Sequence, residues 1–193
     1  MKIVILAGGK GTRLFPLSTI DKPKQFLSLI DNKPMIINTV ERFLGICNQK
    51  DIIIVTGKQY EELTKKILLQ YGYSDVSILL EPLSKNTAPA IVLAVRYCKD
   101  ILNVNNDENI FVVPSDHAIK PCDKYERLIN KVIKQTQISN LVLLGVKPQY
   151  PATEYGYIQA IDITNEAKPV ELFKEKPDKK TAINSDITRN ILG

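Results

Sequence analysis

Cysteine is scarce and scattered in this 193-residue chain: Cys47, Cys98 and Cys122 are widely separated, and no two form a CxxC pair. That spacing excludes a disulfide framework and a structural zinc site, and it suits reduced thiols in a cytoplasmic protein. Long apolar runs are missing as well. The stretch Ile3-Val4-Ile5-Leu6-Ala7 follows Met1-Lys2 directly and gives way at once to glycines, which is too short for a signal peptide. Nothing approaches the ~20 apolar residues that a membrane-crossing helix needs. Repeats, low-complexity tracts and a convincing interdomain linker are also absent. The expectation is one soluble domain over residues 1–193, cut short at its C-terminus, with no membrane partner.

Blocks of basic residues are lacking too. The formal charge of +5 and the pI near 9.0 favour anionic ligands. Lysine and arginine are nevertheless spread along the chain, with no run resembling a nucleic-acid-binding arm. A nucleotide or sugar phosphate is therefore a more economical partner than a nucleic acid.

What the chain does have is a 44% hydrophobic content, enough for a sizeable core. Short continuous apolar runs recur at Ile3 to Ala7, Ile52 to Val55, Val76 to Leu80, Ile110 to Val113 and Leu141 to Leu144. They lack polar alternation, which points to strands covered on both faces. Between them lie segments of helical spacing. Leu63, Ile67, Leu68 and Tyr71 share one face, and Tyr125, Leu128, Ile129, Val132, Ile133 and Thr136 form a second stripe. Asp31-Asn32-Lys33-Pro34 before Met35 to Leu44 reads as a cap, a first-turn proline and a helix. The fold class expected is α/β, a Rossmann-like layered domain with a mostly parallel, mixed central sheet. Beyond about Tyr150 the pattern shifts to strands at Tyr157 to Ile163 and Val170 to Phe173, and Ile183 to Gly193 offers no recognisable closing element.

Leu6-Ala7-Gly8-Gly9-Lys10-Gly11-Thr12-Arg13-Leu14 follows the first expected strand. Its glycines allow a tight turn and a close backbone approach to a ligand, its N–H groups can hold phosphate oxygens, and Arg13 adds a permanent forked charge. A P-loop would need Ser or Thr after its lysine, but Gly11 follows Lys10; a dinucleotide fingerprint starting at Gly9 would need glycine where Leu14 stands. Three more segments carry candidate chemistry. Glu81-Pro82-Leu83-Ser84-Lys85-Asn86-Thr87-Ala88-Pro89 leaves a strand and enters a helix, with Asn86 as N-cap and Pro89 in the first turn. Ile110 to His117 is a strand ending in Asp116, where a carboxylate can hold Mg²⁺ while phosphates and water complete its octahedron. Phe173-Lys174-Glu175-Lys176-Pro177 is a charge cluster before a proline turn.

The run from Leu6 to Ser18, with Lys22-Pro23-Lys24-Gln25-Phe26 after it, resembles the signature of nucleotidyltransferases that activate sugar 1-phosphates, and the Glu81 segment resembles the guanylyltransferase version of the base-recognition region. Glu154-Tyr155-Gly156-Tyr157-Ile158 and the Glu175-Lys176 cluster are similar to the family's sugar-binding segments, so the matches run in family order to about Pro177. The resemblance implies an enzyme that transfers GMP from GTP to mannose 1-phosphate, giving GDP-mannose and pyrophosphate. It implies Arg13 and Lys24 as catalytic residues and Leu6, Ala7, Gly8, Gly9, Gly11, Thr12, Glu81 and Asn86 as the nucleotide site. Gly156, Glu175 and Lys176 would bind the sugar phosphate, and Asp116 would hold Mg²⁺. Glu81 would accept from guanine N1–H and the 2-amino group, which adenine cannot supply together. His117, the single histidine, is not cast as a base, because a sugar phosphate is already ionised at neutral pH. No second acidic metal ligand is identifiable, and Asn184-Ser185-Asp186 is an imperfect echo of the family's Asn-Ser-Gly segment. Two alternatives stay open: the same chemistry on glucose 1-phosphate with UTP or dTTP, and a non-catalytic nucleotide-binding remnant or regulatory subunit. Oligomeric state is open as well, a homo-oligomer included.

Overall fold

The computed structural model describes residues 1–9, 14–83, 86–136, 141–160, 168–187 and 191–192. The chain divides into two compact units, Met1–Leu128 and Ile129–Gly193. Strands β1 (Lys2–Leu6), β2 (Ile52–Gly57), β3 (Ser77–Glu81) and β4 (Ile110–Pro114) of the first unit form a parallel sheet in the order β3-β2-β1-β4. Helices α1 (Met35–Phe43), α2 (Glu61–Gln70) and α3 (Thr87–Asp100) make the three crossovers. This is the strand order of a doubly wound sheet, and the chain reverses its direction of growth between β1 and β4. Ligands of such sheets bind beyond the carboxyl ends of the strands at that reversal.

The apolar runs become strands because helices cover both faces. On one face Val4, Ile53 and Val55 pack with Ala90, Ala94 and Cys98 of α3, all buried. On the other, Phe43 of α1 meets the ring of Phe111 on β4 at 5.8 Å, and Ile36, Ile37 and Val40 are fully buried beside it. Small residues on α3 let that helix lie close to the sheet. Ile67 and Leu68 of α2 are buried as their spacing implies, and Tyr71 stands just beyond the helix end.

In the second unit β5 (Gly156–Ala160), β6 (Val170–Glu175) and β7 (Ile191–Leu192) form an antiparallel sheet, order β6-β5-β7. Helix α4 (Cys122–Gln135) precedes it, with Ile129 of its apolar stripe fully buried and Leu128 exposed. The parallel and antiparallel strands thus occupy separate sheets among the described residues.

Several local expectations need correction. Leu141 to Leu144 is not a strand: residues 141–148 carry no regular structure, and Leu141, Leu143 and Val146 are exposed. An apolar run becomes a strand only where a neighbouring strand pairs with it, and this run joins neither of the two described sheets. Pro34 stands at the N-cap of α1 rather than in its first turn; Asp31 forms the turn by accepting from the Lys33 N–H at 2.9 Å and the Asn38 amide at 3.0 Å. The end of the chain does contain elements. Asp178 accepts from the Thr181 N–H at 2.7 Å and so starts α5 (Lys179–Ile187), and β7 pairs with β5. The strand expected at Tyr157 to Ile163 is described only as far as Ala160.

Removing most of a side chain from the α3–sheet layer leaves a cavity, whereas trimming an exposed one does not. Ile53→Ala is expected to lower unfolding free energy by about 2–5 kcal/mol. Val92→Ala, on the exposed side of α3, should change it by no more than about 0.5 kcal/mol. Urea unfolding of both variants checks the assignment of the two faces.

Candidate active site at the sheet edge

Register aligns the functional residues before any side chain is considered. Leu6 pairs with Val55 and with Pro114, and Val55 pairs with Leu79, so these four form one rung across the sheet. Two residues further on, Gly57 and Glu81 are still paired, while Gly8 and Asp116 stand just past the ends of β1 and β4. A parallel sheet brings all four to one edge, and side chains two apart emerge on the same face. Three of the four are candidate residues from the sequence.

Gly8 and Glu81 occupy one place. A Cβ on Gly8 would overlap the Glu81 carboxylate at Oε2. The glycine thus leaves that space to the carboxylate as it stands; its φ is not positive, and among the described glycines only Gly72 has a positive φ. Glu81 is 8% exposed and its carboxylate has no hydrogen-bond partner among the described residues. Desolvation raises its pKa above the ordinary glutamate value. A largely buried carboxylate with no donor among the described residues is able to accept N–H or O–H groups from a ligand.

The loop after β1 is held by residues that sequence reasoning passed over. Gln25 is 3% exposed, and its amide donates to the carbonyls of Ala7 at 2.8 Å and Gly9 at 3.1 Å. Thr56 adds a bond to the Ala7 carbonyl at 3.2 Å. The Ala7 N–H in turn donates to the Val55 carbonyl at 2.8 Å, so the start of the loop is tied down through both of its peptide groups. Gln25 sits in a 3-10 turn, Lys24–Phe26, whose Phe26 is buried against the ring of Tyr60 at 5.9 Å. The signal for Gln25 lay in Lys22-Pro23-Lys24-Gln25-Phe26, beside the residue that drew attention.

That same turn delivers Lys24, whose Nζ lies 3.2 Å from Oδ2 of Asp116. Both side chains are about one-third exposed, so their charges stay within reach of a ligand. Leu6 ends β1 and Ala7 is buried behind the loop. Gly11, Thr12 and Arg13 lie outside the described residues. Asn86 does occupy the N-cap of α3, but its side chain makes no capping bond, and its backbone has φ +70° and ψ 179°. That region is nearly exclusive to glycine and costs on the order of 1–3 kcal/mol, a strain found mostly at functional sites.

The second unit gathers the remaining candidates. Gly156 on β5 pairs with Glu175 on β6; a Cβ there would strike the Phe173 ring and lie 3.0 Å from Oε2 of Glu175. Lys176 follows with φ +43°, its N–H bonded to the Tyr155 carbonyl at 3.1 Å and its Nζ 3.4 Å from Oε1 of Glu175. Both charged side chains are more than half exposed. Of the three non-glycine residues with positive φ among the described residues, two are thus candidate site residues, Asn86 and Lys176.

Comparison with known proteins identifies the family. Residues 2–190 match the nucleotidyl transferase family. The chain belongs to that family. It is 37% identical over 184 residues to the mannose-1-phosphate guanylyltransferase of Escherichia coli, covering 93% of this chain and 39% of that protein. Among solved structures it resembles one named mannose-1-phosphate geranyltransferase from Thermus thermophilus, with a TM-score of 0.84, 27% identity, and coverage of 100% of this chain and 55% of that one. A structure named mannose-6-phosphate isomerase from Helicobacter pylori aligns with a TM-score of 0.78 at 30% identity, over 99% of this chain and 66% of the other. The chain spans about two-fifths of the length of the curated relatives it matches. As a nucleotidyl transferase it falls in a family that generally uses a divalent metal. No helix among its described residues is long and apolar enough to cross a membrane.

Metal fit can be tested on the donor set. Among the described residues no three His, Cys, Asp or Glu side chains stand close enough to share an ion. Asp116 alone suits Mg²⁺, which is typically bound by one or two carboxylates with substrate phosphates and water supplying the rest. The arrangement fits a metal that arrives with a polyphosphate and not a dedicated protein cage.

The raised pKa of Glu81 gives this site a stability signature. Its neutral form is favoured by folding, so the native state binds more protons than the unfolded state in that pH window. Stability from this group is therefore present at low pH and lost as pH rises through the raised pKa. Glu81→Gln should raise the melting temperature at neutral pH, with the gain vanishing below the ordinary carboxylate range. Thermal scans between pH 4 and 8 check this; a gain independent of pH would contradict the desolvated-carboxylate assignment.

Proposed function

We propose that this chain is the nucleotide-activating part of a mannose-1-phosphate guanylyltransferase, transferring GMP from GTP to mannose 1-phosphate. One observation carries the choice of base: the mostly buried carboxylate of Glu81 against Gly8, with no hydrogen-bond partner among the described residues. Guanine offers two adjacent donors, N1–H and the 2-amino group, that a single carboxylate can accept. Adenine presents an acceptor at N1, and uracil and thymine offer one donor between two carbonyls. The guanylyltransferase name carried by the relative from Escherichia coli supports the same reading.

In the reaction a phosphate oxygen of mannose 1-phosphate attacks the α-phosphorus of GTP in line. The new P–O bond forms as the bond to the bridging oxygen breaks, and that electron pair leaves on pyrophosphate. No proton has to be removed from the nucleophile, so no general base is required. The obstacle is charge: two unit charges ~4 Å apart repel by about 4 kcal/mol at an effective dielectric of 20. Lys24 and Arg13 would offset this at the nucleotide and Lys176 at the sugar phosphate, while Glu175 would accept from sugar hydroxyls. Asp116 would hold Mg²⁺, whose charge when bound neutralises phosphate oxygens. Asn86 and the loop from Leu6 to Thr12 would orient the nucleotide. Catalysis then rests on positioning and charge stabilisation, without a covalent enzyme intermediate.

Pyrophosphate release from a panel of GTP, ATP, UTP and dTTP, each with mannose 1-phosphate or glucose 1-phosphate, tests the substrate assignment. Turnover is expected with GTP and mannose 1-phosphate; equal turnover with UTP or dTTP and glucose 1-phosphate would overturn it. Binding of GTP without turnover would favour the nucleotide-binding remnant, the reading that the single acidic metal ligand keeps in view. Lys24→Ala should lower kcat on the order of 10²–10³-fold, as for loss of one preorganised donor to a charged transition state. Its melting temperature should barely move, because the partly exposed pair with Asp116 is worth at most about 1 kcal/mol. Lys176→Ala should mainly raise KM for the sugar phosphate, and a change confined to the KM for GTP would remove the role given to it.

A further inference from the structure

Asp116 is held by backbone bonds on both sides of it, and two come from one helix. The Ser115 N–H donates to the Leu6 carbonyl at 3.0 Å, which fixes the segment to β1. The Thr39 hydroxyl lies 3.2 Å from the Ser115 carbonyl and 3.0 Å from that of Met35, so its one proton is shared between them. The Arg42 guanidinium donates through Nη2 to the His117 carbonyl at 2.6 Å. Thr39 and Arg42 stand three residues apart on α1 and so emerge on the same side of the helix. Both are buried, at 0% and 5% exposure.

Stability alone is a poor reason to bury Arg42. Its Nη1 is buried with no partner, and burial lowers the guanidinium pKa, both signs of desolvation only partly repaid. The Tyr125 ring, 5.8 Å from the guanidinium carbon, returns some of that through a cation–π contact. Apolar residues of similar volume usually replace buried charges at little cost or with a gain. What an apolar residue cannot do is fix the direction of the His117 carbonyl, and with it the backbone that aims Asp116 at Lys24. Helix α1 can serve as the anchor because Glu41 ties it down elsewhere, accepting from Lys33 Nζ at 2.7 Å and Tyr73 Oη at 2.8 Å.

We propose that Arg42, assisted by Thr39, is a positioning residue of the nucleotidyl-transfer site, holding the peptide units on either side of Asp116 so that its carboxylate meets Lys24. Neither residue touches substrate. The catalytic half of this statement rests on the proposed function, whereas the structural half does not. A misplacement of 1 Å at a reacting centre can cost about 10²-fold in rate. A loosened but still present Asp116 should therefore cost about tenfold in kcat.

The test uses the 193-residue chain with Arg42→Met, Arg42→Lys and Thr39→Val. Hydrogen exchange over residues 114–119 reads the clamp directly, and pyrophosphate release with GTP and mannose 1-phosphate reads its consequence. Arg42→Met is expected to speed exchange in that segment while leaving β1 and β2 protected. Its kcat should fall at least about tenfold, with the KM for GTP within about threefold. Arg42→Lys, which keeps a charged donor, should recover part of both effects, and Thr39→Val should produce a smaller change in the same direction. Unaltered exchange at 114–119 with unaltered kcat in Arg42→Met would overturn the proposal, as would a loss of protection spread evenly over the sheet. Should Arg42→Met fail to fold, Arg42→Lys and Thr39→Val decide by the same two readouts. Absence of turnover in the unmutated chain would count against the proposed function alone, because the exchange comparison still decides whether the clamp exists.

Discussion

The parallel register of β1 to β4 is the constraint on which the rest depends. Once Leu6, Val55, Leu79 and Pro114 share a rung, the residues two steps beyond them must share an edge. Gly8, Glu81 and Asp116 are far apart in sequence, yet no loop has to travel to unite them. The strand interiors need only be apolar and β-branched, and the rung itself carries no chemistry. A one-residue slip of β3 or β4 would turn Glu81 or Asp116 to the opposite face. The buried side chains that fix register, among them Val4, Ile53 and Val55, are thus the indirect source of the site's geometry.

Against that apolar ground, the polar groups at the edge divide by purpose. Gln25, Thr56, Thr39 and Arg42 are buried and spend their donors on backbone carbonyls. They complete the protein's own structure and leave nothing obvious for a ligand. Glu81 is buried to a similar degree and lacks a partner among the described residues, while Lys24 and Asp116 meet only each other at the surface. The distinction matters because burial alone does not separate a scaffold residue from a binding residue. Nor does an unmet donor, since Arg42 Nη1 is buried without a partner; Glu81 is set apart as a desolvated acid at the carboxyl edge of the sheet, with no donor among the described residues.

Much of this was readable from the residues. Four of the five apolar runs are strands, because helices cover both faces of the sheet and the runs needed no alternation. The fifth, Leu141 to Leu144, has the same composition but joins neither described sheet, and composition cannot report pairing. The candidates Gly8, Lys24, Glu81 and Asp116 were identifiable by motif, but motif order gave no reason for Gly8 to meet Glu81 or Lys24 to meet Asp116; register accounts for the first, and the turn anchored by Gln25 for the second. Gln25 and Arg42 went unmarked for a different reason. Their work is done through hydrogen bonds to carbonyls, which every residue type carries equally, so no pattern of side chains announces the acceptor. Asn86 was read as an ordinary cap from its identity, and its left-handed φ shows that identity and position were right while the capping bond was not.

The coupling of Gly8 to Glu81 changes what the glycine loop means physically. Glycine in a phosphate-binding turn is usually explained by conformational freedom, yet Gly8 adopts a φ open to any residue. Its missing side chain serves Glu81, whose carboxylate fills the space a Cβ would take. Two requirements then meet at one atom: the loop must lie close enough to the base-recognition strand to be blocked by a methyl group, and the carboxylate must stay desolvated. The same closeness that raises the Glu81 pKa places the loop backbone proposed to hold phosphate beside the group proposed to recognise the base. The proposed nucleotide would engage both because nothing larger than hydrogen stands between them.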